Sequence, residues 1–503
     1  MHWESRGRRR GLIAVLAVAT TLILAPPASA TSLSWIDGYD DPATPAEFDK
    51  VGILKAGSPW ARNVLVLVPG TSASAAYFQP LAQLIASRTH DWQVWSVERR
   101  ENLLEDHSKL DAVKRGDATL QEFFDYYLGW LTDPSVQDHI TFIPDADVGF
   151  ARNWGMRVAV EDLRRVIDLA GRHGRRVVLG GHSLGGSITT AYATWDFNGR
   201  AGAKDLSGLV YVDGGSGPAT LTAEDATQRL QDLSTSSPWL TFGGIPSPFA
   251  GLFNIVGSTF ARSAPNEVGP LHDWPLLPAN LRPPVTATNE AGYGYALDTE
   301  TSPPSLAAAQ VHAGRLAAEG DPRPWELAGE LSPIQRVADM FHGTALPGLD
   351  GTAWYHPLRL TVDSGAIGAG IANPAQAVLD VQATHGDDLR KMPIYAFAAA
   401  LGGQRVLDAA QLLATQSGIP QHKLTLIDGS ATYAHVDPIS AYPQNEFLQH
   451  LVPFLKTTSH GGRHHGKKHH GRKHRGRGHH GRKHHGGKHD RKHHGRDRKH
   501  DDD

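Results

Sequence analysis

Val177-Val178-Leu179-Gly180-Gly181-His182-Ser183-Leu184-Gly185-Gly186 runs from an unbroken apolar stretch into a cluster of glycines around one serine. A short apolar run closed by a turn signal reads as a buried strand, and Leu184 to Trp195 reads as the helix after it. Between them, Gly181 and Gly185 stand two residues either side of Ser183, where side chains would clash on a sharp strand-to-helix turn. The spacing predicts a serine hydroxyl projecting from the edge of a sheet. It lies beside the first free amides of a helix, a setting suited to an oxyanion. Ser183 is therefore read as a nucleophile.

Working outward, Val51 to Lys55 and Asn63 to Val68 read as strands. The loop Pro69-Gly70-Thr71-Ser72 leads to an amphipathic helix near Ala75 to Arg88, and Trp92 to Val97 is the next strand. The aromatic stretch with Phe123, Phe124, Tyr126, Tyr127 and Trp130 reads as helical, and packing is preferred over an acyl pocket for it. Met156 to His173 is an amphipathic helix feeding the strand before Ser183. Gly208 to Val212 is a strand ending on Asp213-Gly214-Gly215. Strand alternating with helix predicts a mostly parallel sheet with right-handed crossovers.

From Ser216 to Lys391 the chain is rich in Pro and Gly, with helical pieces such as Ser305 to Glu319, and is expected to be a cap over the carboxyl edge of the sheet. Pro393 to Ala398 returns as a strand, Arg405 to Gln416 as a helix and Lys423 to Ile427 as the last strand. His435 follows in the next loop, and a final helix carries Phe447, Leu448, Leu451 and Leu455. A serine hydroxyl needs a base that removes its proton during attack. His435, just beyond the last strand, is placed to be that base. His182, inside the tight turn, diverges from Ser183 and is read as a packing or hydrogen-bonding residue.

Gly-His-Ser-Leu-Gly, with the chain order serine, acid, histidine, resembles the α/β-hydrolase superfamily from about Val51 to Lys456, leaving out Ser216 to Lys391. The resemblance implies an α/β fold with a mostly parallel eight-stranded sheet, and hydrolysis through an acyl-serine intermediate, with no cofactor. It also implies an oxyanion hole built from the backbone amides of Thr71 and Leu184. The loop after the third strand commonly begins His-Gly in that superfamily and is Pro69-Gly70 here. The acid commonly follows the penultimate strand, yet Ala400-Leu401-Gly402-Gly403-Gln404-Arg405 contains no carboxylate. Asp213 is the favoured acid and Asp408 the alternative. Asp408 with Gln411 also fits a capping box opening a helix at Ala409. Ester cleavage is the expected reaction. Amide or peptide cleavage by the same triad, and a non-enzymatic surface or metal-binding protein on a hydrolase scaffold, stay open.

The ends of the 503-residue chain differ from its middle. Arg6, Arg8, Arg9 and Arg10 precede an apolar run from Gly11 to Ala25, and Ala28-Ser29-Ala30 offers small residues for cleavage. Residues 1–30 are thus an expected signal peptide, by a Sec or twin-arginine route, and the protein an expected secreted or cell-envelope one. Residues 31–215 and 392–456 form the expected hydrolase core, 216–391 the cap and 457–503 a disordered tail. With no cysteine, disulfides, a cysteine nucleophile and thiolate metal sites are excluded. The formal net charge of −3 hides an acidic body and a basic tail: residues 460–503 hold 15 Lys and Arg against 5 Asp. The tail carries 13 histidines from Gly461 onward and almost no apolar residue, so it cannot bury a core. Its charge suits anionic envelope polymers and its paired histidines suit divalent transition metals, with nucleic acid disfavoured by export. The expected substrate is a small-molecule or lipid ester.

Overall fold

The computed structural model describes residues 31–460, apart from Gly243, Thr344 and Lys391. The expected signal peptide and the tail beyond His460 lie outside the described residues. Eight strands make one sheet: β1 (Ser32–Asp37), β2 (Lys50–Ala56), β3 (Asn63–Val68), β4 (Trp92–Glu98), β5 (Arg176–His182), β6 (Gly208–Val212), β7 (Ile394–Ala398) and β8 (Leu424–Asp428). Their spatial order is β1-β2-β4-β3-β5-β6-β7-β8. β2 alone runs against the rest, pairing antiparallel with β1 and β4. A mostly parallel sheet in this order is the α/β-hydrolase arrangement.

The central strands are apolar on both faces, as expected where helices cover a parallel sheet. Every residue of β3, β4, β6 and β7 is buried. One face packs against α2 (Met156–Ala170) and α3 (Leu184–Thr194), through Leu163, Val166, Ile188 and Ala191. The other packs against α1 (Gln79–Thr89) and the C-terminal helix Glu446–His460, through Leu81, Ile85, Leu448 and Leu451. From β3 the chain steps to β4 on one side, then to β5 on the other. The carboxyl ends of β3 and β5 therefore flank the switch point where open α/β sheets bind ligands. Pro69-Gly70-Thr71 and Ser183 sit there.

Residues 216–391 divide their packing. Helices Ser247–Ser263 (α4) and Asn289–Leu297 (α5) line a cavity that opens onto Ser183. The stretch around Leu358–Ser364 and Pro374–Leu379 instead buries Leu360, Ile367, Ala375 and Leu379 against the first sheet face. The expected helix Ser305 to Glu319 is corrected. A 3-10 turn covers Pro304–Ala309, and Arg315–Leu316 then pairs with Trp325–Glu326. Gly314, at φ 126°, turns the chain where a Cβ would lie 2.4 Å from the Glu326 carbonyl, so a helix cannot continue. The aromatic stretch forms a helix over Leu120–Tyr127, and Phe123, Phe124, Tyr126 and Tyr127 pack with Trp154 and Trp354 in a third core. No helix of the described residues is long and apolar enough to cross a membrane.

Leu179 is fully buried in β5, so Leu179→Ala is expected to cost about 2–5 kcal/mol of folding free energy. Trp60, 89% exposed, sets the contrast: Trp60→Ala stays within about 0.5 kcal/mol. Urea unfolding of both variants checks the pair, and equal losses would contradict this core.

Candidate active site

Ser183, between β5 and α3, has φ 56° and ψ −125°, a conformation that a residue with a side chain adopts only under constraint. Three glycines make room for the turn. A Cβ on Gly181 would lie 2.0 Å from the Gly185 carbonyl oxygen, one on Gly185 2.0 Å from that of Val68, and one on Gly214 2.0 Å from that of Ser183. The turn is thus clamped between the ends of β3 and β6. The Ser183 amide donates to the Val212 carbonyl at 3.0 Å, which fixes the serine beside Asp213.

Asp213 and His435 meet across the same edge. His435 Nδ1 donates to Asp213 Oδ2 at 2.5 Å, and the two residues are 2% and 3% exposed. The other carboxylate oxygen, Oδ1, accepts from the amides of Ala399 at 2.7 Å and Gly402 at 3.0 Å. Burial raises the Asp213 carboxyl, but the His435 hydrogen bond and charge, with the Ala399 amide, outweigh it and hold the group below its usual value. It is a carboxylate at neutral pH. The donors come from the loop after β7, the loop that lacks an acid of its own. Gly402 is what admits Asp213: a Cβ there would lie 2.5 Å from Oδ1. His435 Nε2 is buried and has no hydrogen-bond partner among the described residues, and His435 and Ser183 line the same cavity.

The loop that carries Thr71 is held from below by Arg99, which is 7% exposed. Its guanidinium pairs with Glu101 at 2.5 Å and donates to the carbonyls of Pro69, Gly70 and Ala73 at 3.1, 3.2 and 3.3 Å. The Ala75 amide donates to Glu98 at 2.6 Å. From above, Ala353 donates to the Ser72 carbonyl at 2.9 Å, and Ala73 and Thr352 form an antiparallel bridge. That upper segment is anchored in turn by Asp350, whose carboxylate faces His107 Nε2 at 2.9 Å, with Glu105 on the same nitrogen at 3.2 Å. Burial opposes a charged His107, yet the two carboxylates keep its value well above the usual one. Thr71 lines the cavity. The Leu184 amide is the first of α3, where no intrahelical carbonyl is available to it.

His182 points away from Ser183. The Tyr77 hydroxyl donates to its Nδ1 at 3.0 Å and its Nε2–H donates to the His435 carbonyl at 2.9 Å, a tautomer assigned from these partners. Burial, and then the proximity of His435, lowers it to about 3, so it is neutral. It ties the serine turn to the histidine loop. Asp408 lies apart from this group. The helix there starts at Gln404 after Gly403, which has φ 53°, so Asp408 sits one turn inside it, exposed, accepting from Gln404 Nε2 at 2.9 Å. The capping box at Asp408 is corrected accordingly, because a positive-φ glycine starts the helix earlier. Sequence reasoning missed Arg99, visible only as part of a charged run, and Gly402, visible only as one of two adjacent glycines.

No family model matches the chain, and no curated protein matches it. Among solved structures, the chain is similar to a candidate lipase from Sulfolobus solfataricus, at 14% identity over 85% of this chain and 94% of that one, with a TM-score of 0.42. A thermophilic esterase from Thermogutta terrifontis is similar at 12% identity over 85% and 99%, with a TM-score of 0.35. A monoacylglycerol lipase from Paleococcus ferrophilus is similar at 11% identity over 81% and 98%, also with a TM-score of 0.35.

A buried imidazole N–H that donates to a carboxylate has a deshielded proton, so the His435 Nδ1 proton is expected well downfield of the amide region in proton NMR spectra. Asp213→Asn removes that resonance, and Gly402→Ala, which drives a methyl group onto Oδ1, moves it upfield. A spectrum unchanged in both variants would contradict the described geometry.

Proposed function

We propose that the protein is a serine hydrolase that cleaves carboxylic esters through an acyl-serine intermediate. One observation carries the reading. His435 is held on Asp213 through Nδ1, while its buried Nε2 has no partner among the described residues and shares a cavity with Ser183. A base oriented on one nitrogen and free on the other can take a proton from a hydroxyl in that cavity.

In the proposed reaction, Ser183 Oγ attacks the ester carbonyl carbon while its proton passes to His435 Nε2. Asp213 keeps Nδ1 protonated and offsets the imidazolium charge. The carbonyl oxygen becomes an oxyanion facing the Thr71 and Leu184 amides, fixed dipoles that need no reorganisation as charge develops. Collapse breaks the carbon–oxygen bond, and the leaving alcohol takes the proton from His435. Water then attacks the acyl-serine by the same route in reverse, releasing the acid and restoring Ser183. The opposing idea, an inactive scaffold, drew its strength from the acid missing between Ala400 and Arg405. Asp213, cradled by the amides of that loop, weakens it. Export through residues 1–30 and attachment of the basic tail to envelope polymers or metals belong to the same proposal and rest on the composition of those segments.

Turnover of p-nitrophenyl acetate tests the assignment of the acid as well as the activity. Asp213→Asn is expected to lower kcat by roughly 10³- to 10⁴-fold, because the imidazole then takes the wrong tautomer. Asp408→Asn is expected to stay within about twofold, since an exposed residue away from the site does not touch the reacting atoms. The reverse ranking would move the acid to Asp408, and no turnover by the wild-type chain would remove the hydrolase reading.

A further inference from the structure

The cavity above Ser183 has an empty volume of about 1500 Å³, counting its open mouth, and no Asp, Glu, Lys or Arg lines it among the described residues. Two cap helices form much of its wall. On α5 the lining residues are Asn289, Gly292, Tyr293, Ala296 and Leu297, the i, i+3, i+4, i+7, i+8 stripe of one helix face. On α4, Ala250, Phe253, Asn254 and Gly257 repeat that spacing. The seam is rich in residues with little or no side chain.

The glycines on these helices are not equivalent. Gly257 packs under Tyr293, whose ring would lie 2.9 Å from an added Cβ. Gly251 sits on the Trp354 backbone at 2.9 Å, and Gly294 faces the Trp325 ring at 2.6 Å. Each is required by a neighbour. Gly292 is not: a Cβ there would meet nothing within 4 Å, and its φ lies outside the positive range. A glycine inside a helix lowers its stability relative to leucine. Neither backbone nor packing demands Gly292, and the consequence of its missing side chain is open space on the cavity-facing stripe.

We propose that the seam between α4 and α5 is a subsite for a large, uncharged, apolar group of the ester, and that Gly292 is the residue that sets the size it accepts. The inference rests on the ester-hydrolase reading for the chemistry, but not for the binding. The wall has no Asp, Glu, Lys or Arg to pair with a carboxylate, phosphate or ammonium group, and its few polar side chains, such as Asn254 and Asn289, cannot offset the loss of a charged group's hydration. A methylene chain or ring loses nothing on entry and gains from leaving water. A side chain added at position 292 starts into open space, since nothing lies within 4 Å of a Cβ there, and a leucine would extend over the cavity-facing stripe.

The test separates binding from turnover. In the full chain carrying Ser183→Ala, calorimetric titration compares methyl octanoate and octyl acetate with methyl butyrate. At least one eight-carbon ester is expected to bind tenfold or more tightly than the butyrate, and which one does so assigns the group to the acyl or the alcohol side. Adding Gly292→Leu is expected to shrink that preference at least tenfold. Ala296→Phe, on the same stripe, is expected to do likewise, and thermal melts followed by circular dichroism show that both variants are folded. Equal binding of long and short esters, or a preference that both folded variants keep, would overturn the subsite. Length-dependent binding without p-nitrophenyl acetate turnover by the wild-type chain would leave the subsite standing and overturn only the hydrolase reading. Turnover without length dependence would do the reverse.

Discussion

A buried carboxylate must be fully hydrogen-bonded or it loses its charge, and the architecture around Asp213 satisfies that constraint. Its two oxygens draw on two other loops of the sheet edge. Asp213 itself follows β6, the Ala399 and Gly402 amides follow β7, and His435 follows β8. Any slip in the register of these parallel strands would strand a charge in the interior. The backbone bends to make the meeting possible: Asp213 has φ 43° and Ser183 φ 56°. Strain of this kind persists only where the surroundings over-determine it, and the glycine contacts at positions 181, 185, 214 and 402 do so.

The segment 216–391 is tied to both sides of the same edge. Toward the Thr71 loop, residues 350–353 pair with residues 72–74, and Asp350 is held in turn by His107. Toward the His435 loop, fully buried Asp437 accepts from the Ala434 amide at 2.7 Å, from Ser332 Oγ at 2.7 Å and from His312 Nδ1 at 2.8 Å. Residues of the insertion and residues flanking His435 thus share one carboxylate. The cavity over Ser183 is therefore built by hydrogen bonds that also hold the loops bearing Thr71 and His435, and small residues on α4 and α5 keep it hollow.

Much of the sheet was legible in the sequence because buried parallel strands announce themselves as short apolar runs. β2 to β8 and the helix after Ser183 fall within a residue or two of their expected places. β1 escaped because Ser32–Asp37 is an edge strand, half-exposed, with no continuous apolar signal. The stretch 305–319 was misjudged because its alanines favour helix locally while Gly314 and the pairing of Arg315 with Glu326 decide otherwise. Ser183 and His435 could be placed by their positions at strand ends. The pairing of Asp213 with His435 spans 222 residues, and the role of Gly402 is a contact across 189. No local pattern encodes such contacts. The difference between Gly292 and Gly294, two residues apart on one helix, likewise exists only in three dimensions.

The proposed chemistry requires Ser183 to be the activated nucleophile of this edge. Its most direct measurement is peptide mass mapping of the full chain after reaction with diethyl p-nitrophenyl phosphate, a reagent that leaves a stable phosphoryl group on an activated serine. One modified residue is expected, Ser183, within the peptide that contains Gly181 to Gly186, with p-nitrophenol released in equal amount. Modification at another residue, or a folded chain that stays unmodified, would contradict it.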